Sequence, residues 1–581
     1  MIKKKFILPV LMLATILCMM DVSIMTILLP DIQTAFNQSL ENLSWTINVY
    51  TIVFATLIIP FGRLAEKIGQ NKFVFIGLIV FGTGSFLSGF SSNLPIMLCA
   101  RIIQSVGAAA IIPTSMVIGI SHFSVKNRNK VVAALAGSQG LAVAIGPSFG
   151  GTIAQYLSWR WAFYINVPLV IIALIIFACI LPMHNEKTNN AKIDYIGSIL
   201  SMITLFALSL GLVQGNNWGW SSLLTISLFI GSAGAFILFL IVELKSSHPM
   251  IDMYLFKSRN FNGASLALIL ANFLLGGFAA LIPTFLTRIH GQSELNAALL
   301  ITPYSIAVMF ATIISSLLVK KLNKKLFIGA GFIMIAIGYY FLSIMNVSKN
   351  YHQLLIGAIV LGIGYGMVAA TANILAVADF KGSLLTSSQS VANVLRQVGI
   401  VLAIATFMTV LSGNVRNAKQ NTLNYAKSQV TNLNLSTAIQ KKINHKLEHK
   451  LNPNSNNVTN VKNSVSFNGE RISQKQREAK INDVYNEKLV LIAFKNNIPE
   501  SKIPQAMKTK LKGIIAQKVN QKINETLRKD NHKINNLLHK IKHHAKHQLN
   551  KSFLDVYKVM LSIPIISLLV VPIFKFNKKK Y

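Results

Sequence analysis

Long apolar runs separated by short polar loops set the pattern of this chain, and their spacing predicts fourteen membrane-spanning helices. The runs fall near 6–30, 44–61, 73–90, 94–120, 131–157, 162–182, 193–213, 221–243, 262–287, 296–319, 326–345, 352–378, 384–412 and 553–574. Each is about 18 to 25 residues, long enough to cross a hydrocarbon core of roughly 30 Å. The first run begins MIKKKF, yet it is too long for a leader's apolar core, carries Asp21 and lacks a small-residue cleavage site, so it reads as a retained span. Six closely spaced runs come first, two more precede the polar segment SSHPMIDMYLFKSRNF, and six follow. The last two of these are separated by residues 413–550. The expected organisation is therefore an all-α integral membrane protein: a first six-helix bundle over 1–185, two extra helices and a cytoplasmic loop over 186–260, a second bundle over 261–412 and 551–581, and a basic insert over 413–550.

Composition agrees with the pattern. The chain of 581 residues is 52% hydrophobic and only 13% charged, with mean hydropathy +0.51, which excludes an ordinary soluble protein. Cys18, Cys99 and Cys179 all fall inside expected spans, so no disulfide framework is implied. A net charge of +37 in a soluble chain would suggest nucleic acid. Here the charge divides between short loops and the insert, and no nucleic-acid partner is expected. Lys3 to Lys5, Arg63, Lys67, Lys72, Lys126, Arg128, Lys130, Lys257, Arg259, the lysines at 320, 321, 324 and 325, and those at 575 and 578–580 fall on one side. Arg160, Arg288 and Lys349 fall on the other. The positive-inside rule then puts both termini in the cytoplasm and the chain in the cytoplasmic membrane.

That topology puts the insert outside, between spans 13 and 14, although it holds roughly half of the 56 lysines and arginines. The rule is counted over short loops, so a long segment does not reverse it. Its middle, NPNSNNVTNVKNSVSFNG, has linker composition. Leu511, Ile515, Val519, Ile523 and Leu527 recur every four residues, followed by Ile534, Leu538 and Ile541, which predicts an amphipathic helix. The insert reads as a helical hairpin with a solvated basic side, or as a basic surface for anionic lipids or cell-wall polymers. The run HKIKHHAKHQ has metal-binding residues, but the lysines among them argue against a metal, and none is expected.

Few residues in the spans can carry chemistry. Asp21 is the one carboxylate deep in a span; Asp31, Asp194, Glu243, Asp379 and Asp555 fall near span ends. An ionisable group in lipid costs at least a few kcal/mol, which makes Asp21 a functional candidate. Arg101 in span 4 lies at a matching depth and needs an anion; Gln104 is one turn further along the same face, and Gly107 allows close approach beyond it. Arg396 in span 13 is the second buried cation and has no carboxylate partner in view, leaving backbone carbonyls or an anionic substrate group. Trp45 and Tyr50 in span 2 are cavity candidates, with packing as the plainer alternative, and Gln104 and Arg396 complete the set of cavity candidates. In span 5, AIGPSFGG places Gly146, Pro147, Gly150 and Gly151 together. Proline removes a donor and glycine weakens a helix, so this face must be satisfied by close neighbours rather than by lipid. The loop FGRLAEKIGQNKF carries Gly62, Arg63, Glu66, Gly69 and Lys72, a tight turn with charges suited to a latch. WRWAFYINVP puts Trp159, Trp161 and Tyr164 at the membrane boundary, where an aromatic belt accounts for them.

Taken together, these segments resemble the fourteen-span drug:proton antiporter family of the major facilitator superfamily, the EmrB/QacA-type multidrug exporters. MDVSIMTILLP resembles the family's first-helix carboxylate motif, LSWTINVY its second helix, GRLAEKIGQNK its loop motif and RIIQSVGAAA its fourth-helix arginine motif. GPSFGG resembles the antiporter motif, WRWAFYINVP follows it as in relatives, and IDMYLFKSRNF and RQVG extend the likeness into the second half. The chain departs from the pattern at Glu66, where aspartate is usual, at Gln70 and Asn71, where basic residues are common, and in TPYSIAV, which lacks the carboxylate that serves dications in some relatives.

The resemblance implies a major facilitator fold in a 6+2+6 arrangement and proton-coupled efflux of amphipathic drugs or lipophilic cations, with no cofactor beyond the proton gradient. It implies Asp21 and Arg101 as the coupling pair, and Gly146 to Gly151 as an outer seal. Partners are small-molecule substrates and the bilayer, with a monomer expected and an accessory envelope protein left open. A dedicated metabolite exporter, or a non-transporting receptor or envelope scaffold built around the insert, are the alternatives. No span or loop gathers a nucleophile, base and oxyanion donors, so an enzyme is not expected.

Overall fold

The computed structural model describes residues 2–38, 40–123, 128–181, 186, 194–246, 249–319, 323–346, 350–381, 383–432, 437–450, 473–495, 499 and 502–574. The helices are α1 (Ile2–Phe36), α2 (Leu40–Ile68), α3 (Gln70–Phe90), α4 (Leu94–His122), α5 (Arg128–Tyr156), the single turn α6 (Trp161–Tyr164), α7 (Asn166–Ile180), α8 (Tyr195–Trp218) and α9 (Leu223–Lys245). They continue as α10 (Arg259–Thr284), α11 (Glu294–Leu318), α12 (Lys324–Ser343), α13 (His352–Ala378), α14 (Ser383–Thr431), α15 (Thr437–Lys450), α16 (Gln474–Lys495), α17 (Gln505–Met560) and α18 (Ser562–Ile566).

Thirteen helices among the described residues are long and apolar enough to cross a membrane, which makes this an all-helical, multi-pass membrane protein. The helix expected as the fifth span forms as α5 but is not one of the thirteen; several of its side chains lie outside the described residues. The linker at 452–469 and the terminal lysines at 575–580 also lie outside them.

Span starts follow local capping chemistry. Asn93, Asp194, Ser222, Ser258, Ser293 and Asn323 each accept a first-turn backbone N–H with their side-chain oxygen, satisfying donors that a helix start leaves free. Other boundaries differ from the expected ones. The α1 helix continues past Pro30 to Phe36, so Asp21 lies near its middle, roughly 22 Å from its C-terminal end at 1.5 Å per residue. The α14 helix passes through Gly413, since one interior glycine costs only about 1 kcal/mol against alanine. The segment expected at 553–574 is completed by short turns, α18 and a 3-10 helix over Ser567–Ile573 that contains Pro572.

The chain divides into two compact units, Met1–Leu411 with Phe553–Tyr581, and Ser412–Ser552. In the first unit, glycines decide the closest crossings. A Cβ on Gly107 of α4 would lie 2.6 Å from the Gly77 carbonyl oxygen of α3, and one on Gly364 of α13 would lie 2.6 Å from the Gly331 carbonyl of α12. The third and fourth helices of each bundle thus pack by the same small-residue device. The α5 helix packs on α1 and, across the two bundles, on α11. Gly62 of α2 lies against Ser390 of α14, again joining the bundles. Trp159, expected at the lipid boundary, is instead a core residue, 4% exposed and edge-on to Phe36 and Phe163; Trp161 is exposed. In the second unit, α17 buries Ile515, Ile523, Ile534, Leu537, Ile541, Ala545 and Leu549, so its apolar stripe follows the expected period with Leu537 in place of Leu538 as the buried residue. His544, in the histidine-rich run, stacks on Tyr425 at 4.1 Å, and among the described residues no group of three or more His, Cys, Asp or Glu is placed to hold a metal.

Candidate functional site

Asp21 and Arg101 meet. The Arg101 Nη1 donates to Asp21 Oδ2, with the two side chains 0% and 2% exposed, in the middle of the first bundle. The same Nη1 lies 2.6 Å from Gln104 Oε1, and Gln104 Nε2 donates to Asp21 Oδ1 at 2.8 Å. Both carboxylate oxygens are thereby occupied, and the three side chains close a ring. Arg101 and Gln104 share a face because they lie three residues apart on α4. The α1 helix supplies the acid.

The second helix wraps the cation. Arg101 Nε donates to the Thr46 carbonyl at 3.1 Å, and the guanidinium lies 4.5 Å from the Tyr50 ring centroid, with Phe163 at 5.8 Å on another side. Tyr50 is held by its own hydroxyl, which donates to the Cys18 carbonyl at 3.3 Å, and by Ser105, which donates to the Tyr50 carbonyl at 2.6 Å. Arg101 Nη2 is buried and has no hydrogen-bond partner among the described residues. Electrostatically this is a buried ion pair: charge-assisted hydrogen bonds offset desolvation while both charges persist, and losing either charge leaves the other buried without compensation.

The glycine–proline segment sits beside this ring. Gly146 faces Ser23, where an added Cβ would collide with the serine side chain, and a Cβ on Gly150 would lie 3.1 Å from Ile24 Cγ2. Both contacts are on α1, two and three residues past Asp21. Ser23 itself donates to the Met20 carbonyl at 3.0 Å. On another side, Ser148 hydrogen-bonds Thr302 of α11, so the segment touches both bundles. Gly151 is buried, and the side chain of Pro147 lies outside the described residues.

The charged segment after the second span is not a loop. Gly62, Arg63 and Glu66 belong to α2, which runs to Ile68, and only Gly69 breaks the helix, at φ 109°. Glycine is needed there because that backbone conformation crowds a Cβ. Arg63 pairs with Glu66 at 3.0 Å and donates to the carbonyls of Pro249 and, at 3.2 Å, Met250. Glu243 at the end of α9 accepts the backbone N–H groups of Met250 and Ile251, each at 3.1 Å. The first bundle is thus tied to the segment after the two extra helices, while Lys72 is exposed. Glu186 accepts the Asn71 N–H at 2.8 Å and packs at Gly69.

Arg396 occupies a different place, a cavity of about 90 Å³ between the bundles whose wall comes from α1, α5, α10, α11, α13 and α14. Its Nη1 donates to Gln139 Oε1 on α5 at 2.6 Å and its Nη2 to Asn373 Oδ1 on α13 at 2.8 Å. Of the expected cavity residues, only Arg396 lines it. Gln104 belongs to the Asp21 ring, Tyr50 packs against the Arg101 guanidinium, and Trp45 is half-buried on α2 and is not among the residues of the wall. Gln139, Asn272, Tyr304 and Tyr365 were not singled out in the sequence. An uncharged polar residue in an apolar span was the available signal, and it recurs at too many positions to select them.

A model of the Major Facilitator Superfamily matches residues 11–404. The chain is similar to the multidrug transporter protein MdtP of Bacillus subtilis, 29% identical over 66% of this chain and 70% of that one. It is also similar to multidrug resistance protein 3 of Bacillus subtilis, 29% identical over 72% and 81%. Among solved structures it resembles the human organic anion transporter MFSD10 (TETRAN), with a TM-score of 0.50 and 13% identity over 69% of this chain and 93% of that one, a likeness of fold.

Proposed function

Because this chain belongs to the Major Facilitator Superfamily, and is a membrane transporter rather than an enzyme, we propose that it exports amphipathic small molecules across the cytoplasmic membrane in exchange for protons. The multidrug names of its bacterial relatives support the export reading. One observation carries proton coupling: the ring of Asp21, Arg101 and Gln104 is closed, buried and built around the deep carboxylate of the spans.

In this reading protonated Asp21 is neutral and lets go of Arg101. The guanidinium keeps its Thr46 and Tyr50 contacts on α2, and α1 is free to move against α4. Deprotonation restores the pair and pulls α1 back. Alternating access follows from a two-state equilibrium that the proton biases. In this reading α5 is the outer seal that opens or closes with α1, supported by the close approach of Gly146 and Gly150 to Ser23 and Ile24. Substrate occupies the cavity at Arg396 rather than competing with the proton for one carboxylate. Arg63, through the carbonyls of Pro249 and Met250, acts as the cytoplasmic latch.

The topology completes the proposal. Counting α5 as a span brings the total to fourteen, the termini are cytoplasmic, a monomer suffices, and the basic insert lies on the outer side, toward anionic lipids or cell-wall polymers. Efflux of a neutral or charged aromatic dye from everted vesicles, with and without a proton gradient, tests the reading. Gradient-dependent movement supports it, and a full panel left unmoved overturns it.

A further inference from the structure

We propose that the cavity between the bundles selects anionic amphipaths, with the Arg396 guanidinium receiving their carboxylate or sulfonate. The inference rests on the export reading above and specifies the charge of the cargo.

The wall is cationic. Arg396 is held by two neutral amide oxygens, Gln139 Oε1 from the first bundle and Asn373 Oδ1 from the second, and neither neutralises it. Among the described residues the wall contains no carboxylate. Asp21 is occupied by Arg101 and Gln104 and does not reach the cavity. A guanidinium carries five N–H donors in a planar fork suited to two oxygens of one anion, and the amides engage two of its nitrogens once each.

A second donor belongs to a residue of the same wall. Tyr304 lines the same cavity, is 3% exposed, and its buried hydroxyl has no partner among the described residues. A buried hydroxyl without a partner is costly, and an anion accepting from both Tyr304 and Arg396 would satisfy it. Tyr365, by contrast, is already committed to Asn272 Oδ1 at 3.1 Å. Met19, Leu275, Val308 and Ile400 supply apolar wall for the body of the molecule.

Size and sign both bear on the cargo. About 90 Å³ holds an ionic head group, well below the roughly 300–1,000 Å³ of pockets for drug-sized molecules, so the bundles must part to admit the rest. A lipophilic cation placed here would set its charge against Arg396 with no acid to compensate. An anion meets an unneutralised partner in a low-dielectric site, where charge pairing is strong.

The test uses the full chain in proteoliposomes and a matched pair of probes: N-phenyl-1-naphthylamine, which is neutral, and 8-anilinonaphthalene-1-sulfonate, the same skeleton with a sulfonate. Tetraphenylphosphonium is the cationic probe. The wild-type chain should export the sulfonate with a KM about tenfold or more below that of the neutral parent, one charge-assisted contact's worth. Arg396→Gln should bring the two KM values together, and Arg396→Lys should restore part of the difference. Tyr304→Phe removes only the hydroxyl and should raise the sulfonate KM severalfold with little change in kcat, which keeps the test alive if Arg396→Gln fails to fold. Unchanged sulfonate KM in both Arg396→Gln and Tyr304→Phe would overturn the inference. Export of tetraphenylphosphonium or the neutral parent without the sulfonate would overturn it while leaving the export reading standing. If the wild-type chain moves none of the three, both fall together.

Discussion

Replacing Arg101 with leucine should destabilise the protein more than removing both members of its ion pair. Arg101→Leu deletes the contact to Asp21, the 2.6 Å contact with Gln104, the bond to the Thr46 carbonyl and the stacking over Tyr50. It leaves Asp21, 3% exposed, with the Gln104 amide as its remaining partner in the ring. Breaking a buried pair by removing one partner costs about 3–5 kcal/mol, because the other charge stays buried without compensation. Asp21→Asn leaves the guanidinium its carbonyl, amide and aromatic neighbours, and should cost about 1.5–3 kcal/mol, the worth of a charged hydrogen bond. In the double variant no charge remains to be compensated, so the loss reduces to the Thr46 bond and the packing on Tyr50. The double variant should therefore recover about 2 kcal/mol relative to Arg101→Leu; with the Asp21→Asn loss added, the coupling comes to about 3.5–5 kcal/mol, well above the roughly 0.5 kcal/mol expected for independent sites. Denaturant unfolding of the purified protein in one detergent at one pH, for all four members of the cycle, measures it. If the two single losses simply add, the pair contributes no specific interaction and the ring cannot act as proposed above.

Other consequences are as specific. Gly107→Ala should lower unfolding stability by about 1–3 kcal/mol, since its Cβ would sit 2.7 Å from the Phe81 Cα and force α3 and α4 apart; a neutral effect would contradict the crossing. Gly150→Leu should leave an assembled protein that either exports no dye or leaks protons, read with a pH-sensitive dye inside proteoliposomes, whereas normal efflux would remove α5 from the seal. Arg63→Ala should slow turnover with KM little changed, because it frees the carbonyls of Pro249 and Met250 far from the cavity; an equal rise in KM would place it at the substrate instead. Deleting residues 420–545 should leave most of the efflux, while complete loss with the first unit still folded would favour the scaffold reading of the insert.

The spans were legible because length and apolarity suffice in lipid, where every backbone donor must be satisfied within a helix. Asp21 and Arg101 were legible for the same reason: an isolated charge in such a run stands out and demands a partner. What linear pattern could not supply was side-chain direction. Gln104 and Tyr50 read as cavity candidates, yet in the structure both pack on Arg101, Gln104 from three residues along the same helix and Tyr50 from α2. Trp159 matched an aromatic belt by composition and is buried by its edge-on contacts with Phe36 and Phe163. The Arg63 segment read as a loop because glycines and charges bracket it, but Gly62 serves close packing against Ser390, and Gly69 alone makes the turn. Tyr304 carried only the common signal of a polar residue in an apolar span, and its meaning lies in a missing partner that three dimensions reveal.

The most direct test of coupling through Asp21 compares two modes of transport in the same proteoliposomes. Asp21→Asn should still exchange labelled for unlabelled probe across the membrane at equilibrium, since the cavity at Arg396 is untouched, but an imposed proton gradient should produce no accumulation. Wild-type protein should show both. Full proton-driven accumulation by Asp21→Asn would contradict the account at its centre.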